Sequence, residues 1–127
     1  MTAALRLEGA GPQAEVGLWV TDDAQVRELN RRYRGRDRAT DVLAFPSDPE
    51  AAGPQVEGGD WLGEIAISAE TAARQAGEMG HGTEQEMCLL AIHGVLHLMG
   101  HRDETAAQRR RMLRRQDEIW HQITTTT

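Results

Sequence analysis

The residues best suited to chemistry lie in one run near the end of the chain, HGVLHLMGHRD at positions 93–103. If this run is helical, His93 and His97 project from the same face at i and i+4 spacing, close enough to bind one metal ion. Gly100 then allows the chain to turn, so that a residue just beyond it completes the coordination. The alternative is a pair of core histidines that hydrogen bond to backbone carbonyls. That arrangement is common for a single histidine and less so for a pair at this spacing, so the pattern favours a metal site.

The same run argues against a zinc protease. Proteases of that mechanism carry H-E-x-x-H on a helix, and the glutamate acts as the general base. Here Gly94 occupies the glutamate position. The helix therefore points away from peptide hydrolysis.

Length and composition predict one soluble domain over residues 1–127. The chain has 127 residues with 39% hydrophobic content, which is enough for one core and too little for two ordinary domains. The single cysteine, Cys88, excludes an internal disulfide, and its apolar neighbours predict a buried thiol. The N-terminal residues lack a secretory pattern, and no apolar run approaches the ~18 residues of a membrane span. We therefore expect a cytoplasmic protein without membrane contact.

The charge of the chain is unevenly distributed. The net charge is −6, yet all 14 basic residues are arginines, and the segments 27–38 and 102–115 hold six each. Each segment has a local charge of +4, whereas the rest of the chain carries −14. Such clusters favour contacts with the phosphates of a nucleic acid, although arginine-rich helices with solvated faces are an equally good interpretation.

Hydrophobic periodicity and capping residues predict a small α/β (α+β) domain. Strands are predicted at 14–20, 41–45 and 61–68, with a loop at 47–60. Helices are predicted from Thr21–Asp23 to Gly35, from Ser68 to about 77–80, from a T-x-x-E capping box at Thr83 to Met99, and over 104–121. We expect one mixed β-sheet packed against several helices, with the apolar helix that carries His93 as the central, buried, metal-binding helix.

Three blocks in the chain resemble the YbeY endoribonuclease family, also described as rRNA maturation factors. HGVLHLMGHRD is similar to the family's H-G-x-L-H-L-x-G-[YH]-D-H, and LNRRYRGRDRATDVLAFP (29–46) to L-N-x-x-Y-R-x-x-D-x-x-T-[DN]-V-L-S-F-P. LGEIAIS (62–68) resembles L-G-D-I-x-I-S. The resemblance implies a metal-dependent, single-strand-specific endoribonuclease (a hydrolase) that acts in ribosomal RNA processing and ribosome quality control. Single-stranded or ribosomal RNA is then the substrate, and the ribosome or its proteins are partners.

The resemblance assigns site residues, with one departure from the family pattern. It implies that Arg34 is the catalytic arginine, because a guanidinium near the metal is able to bind the scissile phosphate. His93 and His97 are the implied ligands, but the family's third histidine is replaced by Asp103. A carboxylate is able to bind zinc beside two histidines, so the register favours Asp103, with His101 as the competing ligand. A third option is that Asp103 caps a helix starting at Glu104.

The expected cofactor is one divalent ion, zinc first, with nickel, manganese or iron as alternatives because the carboxylate widens the choice. Thr40 and Asp41 fall on family positions and either shape the loop above the metal or cap a turn. No general base is identifiable.

Other residues near the blocks have a less definite role. Tyr33, Phe45 and Trp61 are able to stack on bases but are predicted mainly as core. Arg31 and Arg32 are predicted to contact RNA phosphates at the periphery.

Two other functions remain open at this stage. A non-haem iron oxygenase also uses two histidines and one carboxylate, but usually on strands, and the blocks at 29–46 and 62–68 would then be unexplained. The other is a non-catalytic ribosome-binding factor in which the metal only stabilises the fold.

Overall fold

Three strands and five helices make up residues 2–11, 14–47 and 61–125, the parts of the chain that the computed structural model describes. In chain order they are α1 (Thr2–Leu7), β1 (Glu15–Thr21), α2 (Asp23–Arg34), β2 (Val42–Pro46), β3 (Trp61–Ser68), α3 (Ala69–Met79), α4 (Thr83–Leu98) and α5 (Ala106–Thr125). The loop predicted at 47–60 lies, from residue 48 onward, outside the described residues. Within the described residues, no helix has the length and apolar character needed to cross a membrane.

The strands form one mixed sheet with β3 at its centre. Their order is β1-β3-β2, with β1 parallel and β2 antiparallel to β3. The run WLGEIAIS forms β3, where Ile65, Ala66 and Ile67 are each at most 2% exposed. A strand with neighbours on both sides and helices against it is apolar almost throughout, which explains this continuous run. The predicted mixed sheet packed against helices is confirmed.

The helix α4 packs across β2 and β3 and is the central buried helix, as predicted. Its buried residues are Glu86, Leu90, Ala91, Ile92, Gly94, Val95, Leu96 and Leu98. A Cβ atom on Gly94 would lie 2.8 Å from Cγ2 of Ile65, so the glycine allows the helix to approach β3 closely. Gly94 directly follows His93, and the close approach therefore holds the histidine-bearing turns against the sheet.

Three local expectations were wrong. The α4 capping box does not form: the N-cap is Gly82, which has no side chain to accept a hydrogen bond, and Glu86 accepts from Nε2 of His81 at 2.7 Å. Cys88 is exposed, because the continuous burial of α4 begins only at Leu90. The short helix α1 was not predicted, although its residues Ala4 and Leu5 join the core.

The helix α2 carries Arg34 and begins and ends where the sequence predicts. The carboxylate of Asp22 accepts from the backbone N–H of Gln25 at 2.8 Å, which is an N-cap. Gly35 ends the helix in the left-handed conformation with φ 68°. Val26 and Asn30 are the buried residues of this helix. Because both ends are defined, the C-terminal turn that contains Arg34 has a fixed position beside β2.

Gly63 is the glycine whose replacement should destabilise the fold most clearly. Its φ is 145°, and an added Cβ would lie 2.2 Å from the backbone oxygen of Phe45. Gly63→Ala is therefore expected to lower the free energy of unfolding by about 2–4 kcal/mol in denaturant titrations. The control is Gly77→Ala, in α3, where an added Cβ meets nothing within 4 Å. This helical position should gain up to about 1 kcal/mol. Equal stability of the two variants would contradict the strain at Gly63.

Candidate metal centre

Two histidines and one aspartate converge at the C-terminal end of α4. The Nε2 atoms of His93 and His97 are 3.2 Å apart, and Nε2 of His97 is 3.5 Å from Oδ2 of Asp103. One potential ligand atom from each of the three residues lies within 4.8 Å of the others. All three side chains are only partly exposed. The structure thus brings together the three residues that the sequence proposes as ligands.

A sharp turn after α4 places Asp103 beside His97. The N–H of His101 donates to Leu96 O at 3.0 Å, and the N–H of Gly100 donates to His97 O at 3.1 Å. This pair of bonds is a Schellman motif, in which the residue after the cap adopts a left-handed conformation. Gly100 does so with φ 98°, which a residue with a side chain would rarely adopt. The chain therefore reverses and Asp103 returns beside His97.

The spacing of the donor atoms fits a divalent metal ion. Two ligands at about 2.0–2.1 Å from a tetrahedral zinc would be about 3.3 Å apart. Two of the three separations, 3.2 and 3.5 Å, lie close to that value, and all three donor atoms lie within 4.8 Å of one another. Two imidazole nitrogens and a carboxylate oxygen also form a donor set that zinc hydrolases use, with positions left open for water and substrate.

A hydrogen bond orients the ring of His93, and burial favours the neutral form of His97. Nδ1–H of His93 donates to Oε1 of Gln116 at 2.9 Å, which leaves the Nε2 lone pair directed at the centre. Burial lowers the pKa of His97, as do the charges of His93 and Arg34, while Asp103 raises it. Neutral imidazole is the form that binds a metal. The hydrogen bond that orients His93 and the lowered pKa of His97 therefore both favour metal binding.

Gln116 was not identified from the sequence. It lies at i+4 from Met112 and i−3 from Ile119, the two buried residues of α5. A polar residue at a core-facing position of an amphipathic helix is the signal that could have revealed it.

His101, the competing ligand, faces another part of the molecule. Its Nε2–H donates to Oε1 of Glu8 at 2.6 Å, and Glu8 also accepts from Nε of Arg115 at 2.6 Å. This cluster joins the segment after α1 to α5, away from the other two histidines. Among the described residues, the structure therefore places Asp103 and not His101 with His93 and His97.

Asp103 does not cap α5 either. Thr105 Oγ1 accepts from the N–H of Gln108 at 3.1 Å, and Oε1 of Gln108 accepts from the N–H groups of Thr105 and Glu104 at 3.0 Å. This reciprocal arrangement is a capping box, and it satisfies the start of the helix without Asp103. The carboxylate of Asp103 is left for the centre beside His97.

Arg34 lines the same cleft as the three potential ligands. The cleft has a volume of about 360 Å³ and includes Thr40 and Asp41 in its wall. Nη2 of Arg34 donates to the backbone oxygen of Ala44, and its Cζ lies 5.7 Å from the centre of the Phe45 ring. These two contacts hold the guanidinium beside the potential ligands.

Asp41 has a structural set of partners within the cleft wall. Its Oδ1 accepts from the N–H of Val42 at 2.8 Å and from Thr40 Oγ1 at 3.4 Å, and its Oδ2 accepts from Gln75 at 3.2 Å. These bonds favour the turn-capping interpretation of Thr40 and Asp41.

Comparison with known proteins identifies the family. The family model described as Endoribonuclease YbeY matches residues 1–124. The Endoribonuclease YbeY of Moorella thermoacetica is 48% identical over 126 residues, spanning 94% of this chain and 79% of its own length. That of Pelotomaculum thermopropionicum is 42% identical over 125 residues, spanning 96% and 80%. The chain belongs to the YbeY endoribonuclease family. The family that the three sequence blocks predict is thus confirmed.

A solved structure supports the fold of this YbeY family member. The solution structure of a Thermotoga maritima protein matches with a TM-score of 0.57 and 26% identity, covering 96% of this chain and 77% of that one. Family membership disfavours both the oxygenase and the non-catalytic binding factor. The position of the histidines on a helix rather than on strands also differs from the usual oxygenase arrangement.

Two of the three aromatic residues predicted as core are exposed in this YbeY family member. Tyr33 is 64% and Trp61 46% exposed, whereas Phe45 is partly buried. The Tyr33 and Phe45 rings pack edge to face with their centroids 5.7 Å apart. The prediction failed because Tyr33 lies at the solvated end of α2 and Trp61 begins its strand.

The contrasting environments of Asp103 and His101 predict different effects on metal binding. Asp103→Ala should weaken metal affinity more than about 100-fold, because even a residue that only orients a ligand is worth about 10–100-fold. His101→Ala should leave affinity within a few-fold and instead reduce stability through the loss of its bond to Glu8. Competition with a chromophoric chelator measures both affinities. The reverse ranking would make His101 the ligand.

Proposed function

We propose that this protein is a hydrolytic endoribonuclease that cleaves single-stranded RNA with one divalent metal ion held by His93, His97 and Asp103. The observation that carries the proposal is the convergence of these donors with Arg34 in one cleft of a YbeY family chain. When bound, the ion supplies Lewis-acid polarisation of the phosphate and activation of the attacking water.

The protein's own residues bind and orient the substrate. Arg34 contacts the scissile phosphate and stabilises the charge that develops on it, since its planar fork matches phosphate oxygens. Gln116 holds His93 in the tautomer that binds the ion. Phe45 and the Ala44 carbonyl limit the movement of Arg34, so the phosphate meets a preoriented donor.

Zinc is the proposed ion, with nickel, manganese and iron as alternatives. Two imidazole nitrogens beside one carboxylate oxygen form a donor set that favours zinc. The carboxylate oxygen makes the site harder than one with three imidazoles and so broadens the range of metals.

We further propose that the substrate is ribosomal RNA in the cytoplasm, with a role in rRNA maturation and ribosome quality control. Ribosomes or ribosomal proteins are the proposed partners. The support is the name endoribonuclease carried by the relatives and the clustered arginines at 27–38 on a chain of net charge −6.

A cleavage assay with metal-free and metal-loaded protein tests the proposal. Single-stranded RNA should be cut only by the loaded protein, and a duplex of the same sequence should be cut much more slowly. An RNA-binding protein that cuts neither substrate with any of the four metals would support the non-catalytic alternative. Cleavage that persists after complete chelation would exclude the metal from the mechanism.

A further inference from the structure

The six arginines of segment 27–38 divide into two groups by their partners. Arg27 pairs with Asp37 at 2.8 Å, and Arg31 pairs with Glu28 at 2.6 Å. Arg32 lies 3.8 Å from the same Glu28. These three outer arginines are more than half exposed, and neighbouring carboxylates compensate their charge. They therefore attract an external phosphate less than their number suggests.

The three inner arginines face the metal centre. Arg34, Arg36 and Arg38 all line the cleft that contains the potential ligands. Within the described ranges, none of the three forms an ion pair with a carboxylate. Asp41, in the same wall, already accepts three hydrogen bonds from its own neighbourhood. Asp41 and Asp103 supply two carboxylates to the same wall, so the three guanidiniums leave the cleft with a net positive charge beside the centre.

The turn at residues 35–38 is held in place by a buried amide. Asn30 is 3% exposed, its backbone oxygen accepts from the N–H of Arg36 at 3.2 Å, and its Nδ2 donates to Arg38 O at 2.9 Å. Gly35 begins the turn in the left-handed conformation. Asp37 forms an ion pair with Arg27, while Arg36 and Arg38 on either side of it line the cleft. These hydrogen bonds therefore fix the backbone positions from which the side chains of Arg36 and Arg38 extend.

Three arginines that line one cleft with the potential metal ligands fit a polyanion better than a single phosphate group. One phosphodiester at the centre is contacted by Arg34 under the proposed function. Arg36 and Arg38 add two more guanidiniums, each able to bind a pair of phosphate oxygens. Without an anionic ligand, their positive charges would repel each other. An extended single strand supplies a phosphate at every nucleotide, and each phosphate can meet one arginine.

We propose that Arg36 and Arg38 bind phosphates of the RNA strand next to the scissile phosphate and thereby hold the substrate in the cleft. The inference rests on the proposed function for the identity of the strand. It assigns the two arginines to substrate binding and leaves the charge stabilisation of the reaction to Arg34. It also separates them from Arg31 and Arg32, which the sequence predicts as peripheral phosphate contacts and which lie beside Glu28.

Two double variants test this assignment. Arg36→Gln with Arg38→Gln removes two charges from the cleft, and Arg31→Gln with Arg32→Gln removes two from the outer face of the same segment. Single-turnover cleavage of a single-stranded RNA, followed at increasing concentrations of metal-loaded protein, separates half-saturation from the maximal rate. The inner pair should raise the half-saturating concentration about 10- to 100-fold, as two charge-assisted contacts are lost, with the maximal rate within about 3-fold. The outer pair, which Glu28 partly compensates, should raise the half-saturating concentration less than about 3-fold, as expected for weak peripheral contacts.

Salt dependence gives an independent measure of the same contacts. The slope of log affinity against log salt should fall by about 1.4 for the inner pair, since each phosphate contact to a single strand contributes about 0.7. The outer pair should lower the slope by clearly less than the inner pair, because Glu28 lies beside both of its arginines. Equal losses in the two variants would overturn the proposal, as would a loss confined to the maximal rate.

A binding measurement keeps the inference separate from the proposed function. If the parent protein cuts no RNA, the endoribonuclease proposal fails, and fluorescence anisotropy with the same RNA still reports the slopes. A clearly lower slope for the inner pair than for the outer pair would then support RNA binding at this turn. Unchanged slopes for both pairs would overturn the inference even if cleavage is normal. Circular dichroism confirms folding, which these exposed positions should not affect.

Discussion

Arg34→Ala is expected to slow RNA cleavage by about 100-fold or more, as the loss of a donor to transition-state charge does. Metal content and folding should remain unchanged, because among the described residues Arg34 forms no ion pair and its guanidinium hydrogen bonds to Ala44 O and lies over the Phe45 ring. Its guanidinium lines the same cleft as His97, and its charge contributes to lowering the pKa of His97. Single-turnover rates at saturating protein measure the effect on the chemical step.

Arg32→Ala is the matched control for this experiment. It lies two residues earlier on α2, is 64% exposed and sits 3.8 Å from Glu28 rather than in the cleft. Its removal should change the maximal rate less than about 3-fold, since an exposed ion pair contributes little. Arg34→Lys should recover little activity, because an ammonium group cannot reproduce the bidentate fork. A parental rate for Arg34→Ala would make the arginine structural and assign the charge stabilisation to another group.

The sequence is informative about elements with strong local signals. The buried run of β3, the Asp22 and Ser68 N-caps and the Gly35 terminus all appear where composition and capping rules expect them. The six-residue helix α1 lacks such signals, since a helix of that length owes its stability to packing.

Capping patterns illustrate where local rules fail. The T-x-x-E pattern at the start of α4 is present, but the carboxylate of Glu86 accepts a hydrogen bond from His81 instead. The equivalent T-x-x-Q pattern at Thr105 does form the box. The first box fails because the helix begins one residue earlier than the pattern predicts, with Gly82 as its N-cap, and because the nearby His81 binds Glu86.

The candidate site also combines features that local sequence predicts with features that depend on contacts distant in the chain. The histidine pair is predictable from i and i+4 spacing, because that spacing alone places two side chains on one helical face. The choice between His101 and Asp103 is not local, since it depends on Glu8, which lies 93 positions from His101. The division of the arginines into inner and outer groups depends on the turn that Asn30 holds. Spacing therefore predicts the chemistry of the site, and long-range contacts determine which neighbours join it.

His97→Ala is expected to abolish both stoichiometric metal and RNA cleavage. His97 is the central member of the cluster: its Nε2 atom lies 3.2 Å from Nε2 of His93 and 3.5 Å from Oδ2 of Asp103. The variant keeps only His93 and Asp103 as ligands and loses the residue that lies next to both. The affinity for zinc should fall by more than about 100-fold, beyond the loss expected for a residue that only orients a ligand. Metal analysis of protein purified under identical conditions gives the stoichiometry, and isothermal titration of the metal-free protein gives the affinity.

His121→Ala provides the control for this loss. His121 is exposed on α5 and its Nδ1 hydrogen bonds only to the backbone of Asp117, at 2.8 Å, so the variant should retain one metal ion per chain and parental cleavage. His93→Ala should match His97→Ala, since the two imidazoles face the same centre. If both cleft variants kept one tightly bound ion per chain, α4 would not be the metal site. If they lost the ion but cut RNA at the parental rate, the ion would serve the fold alone, and the cleft's arginines would have to act without it.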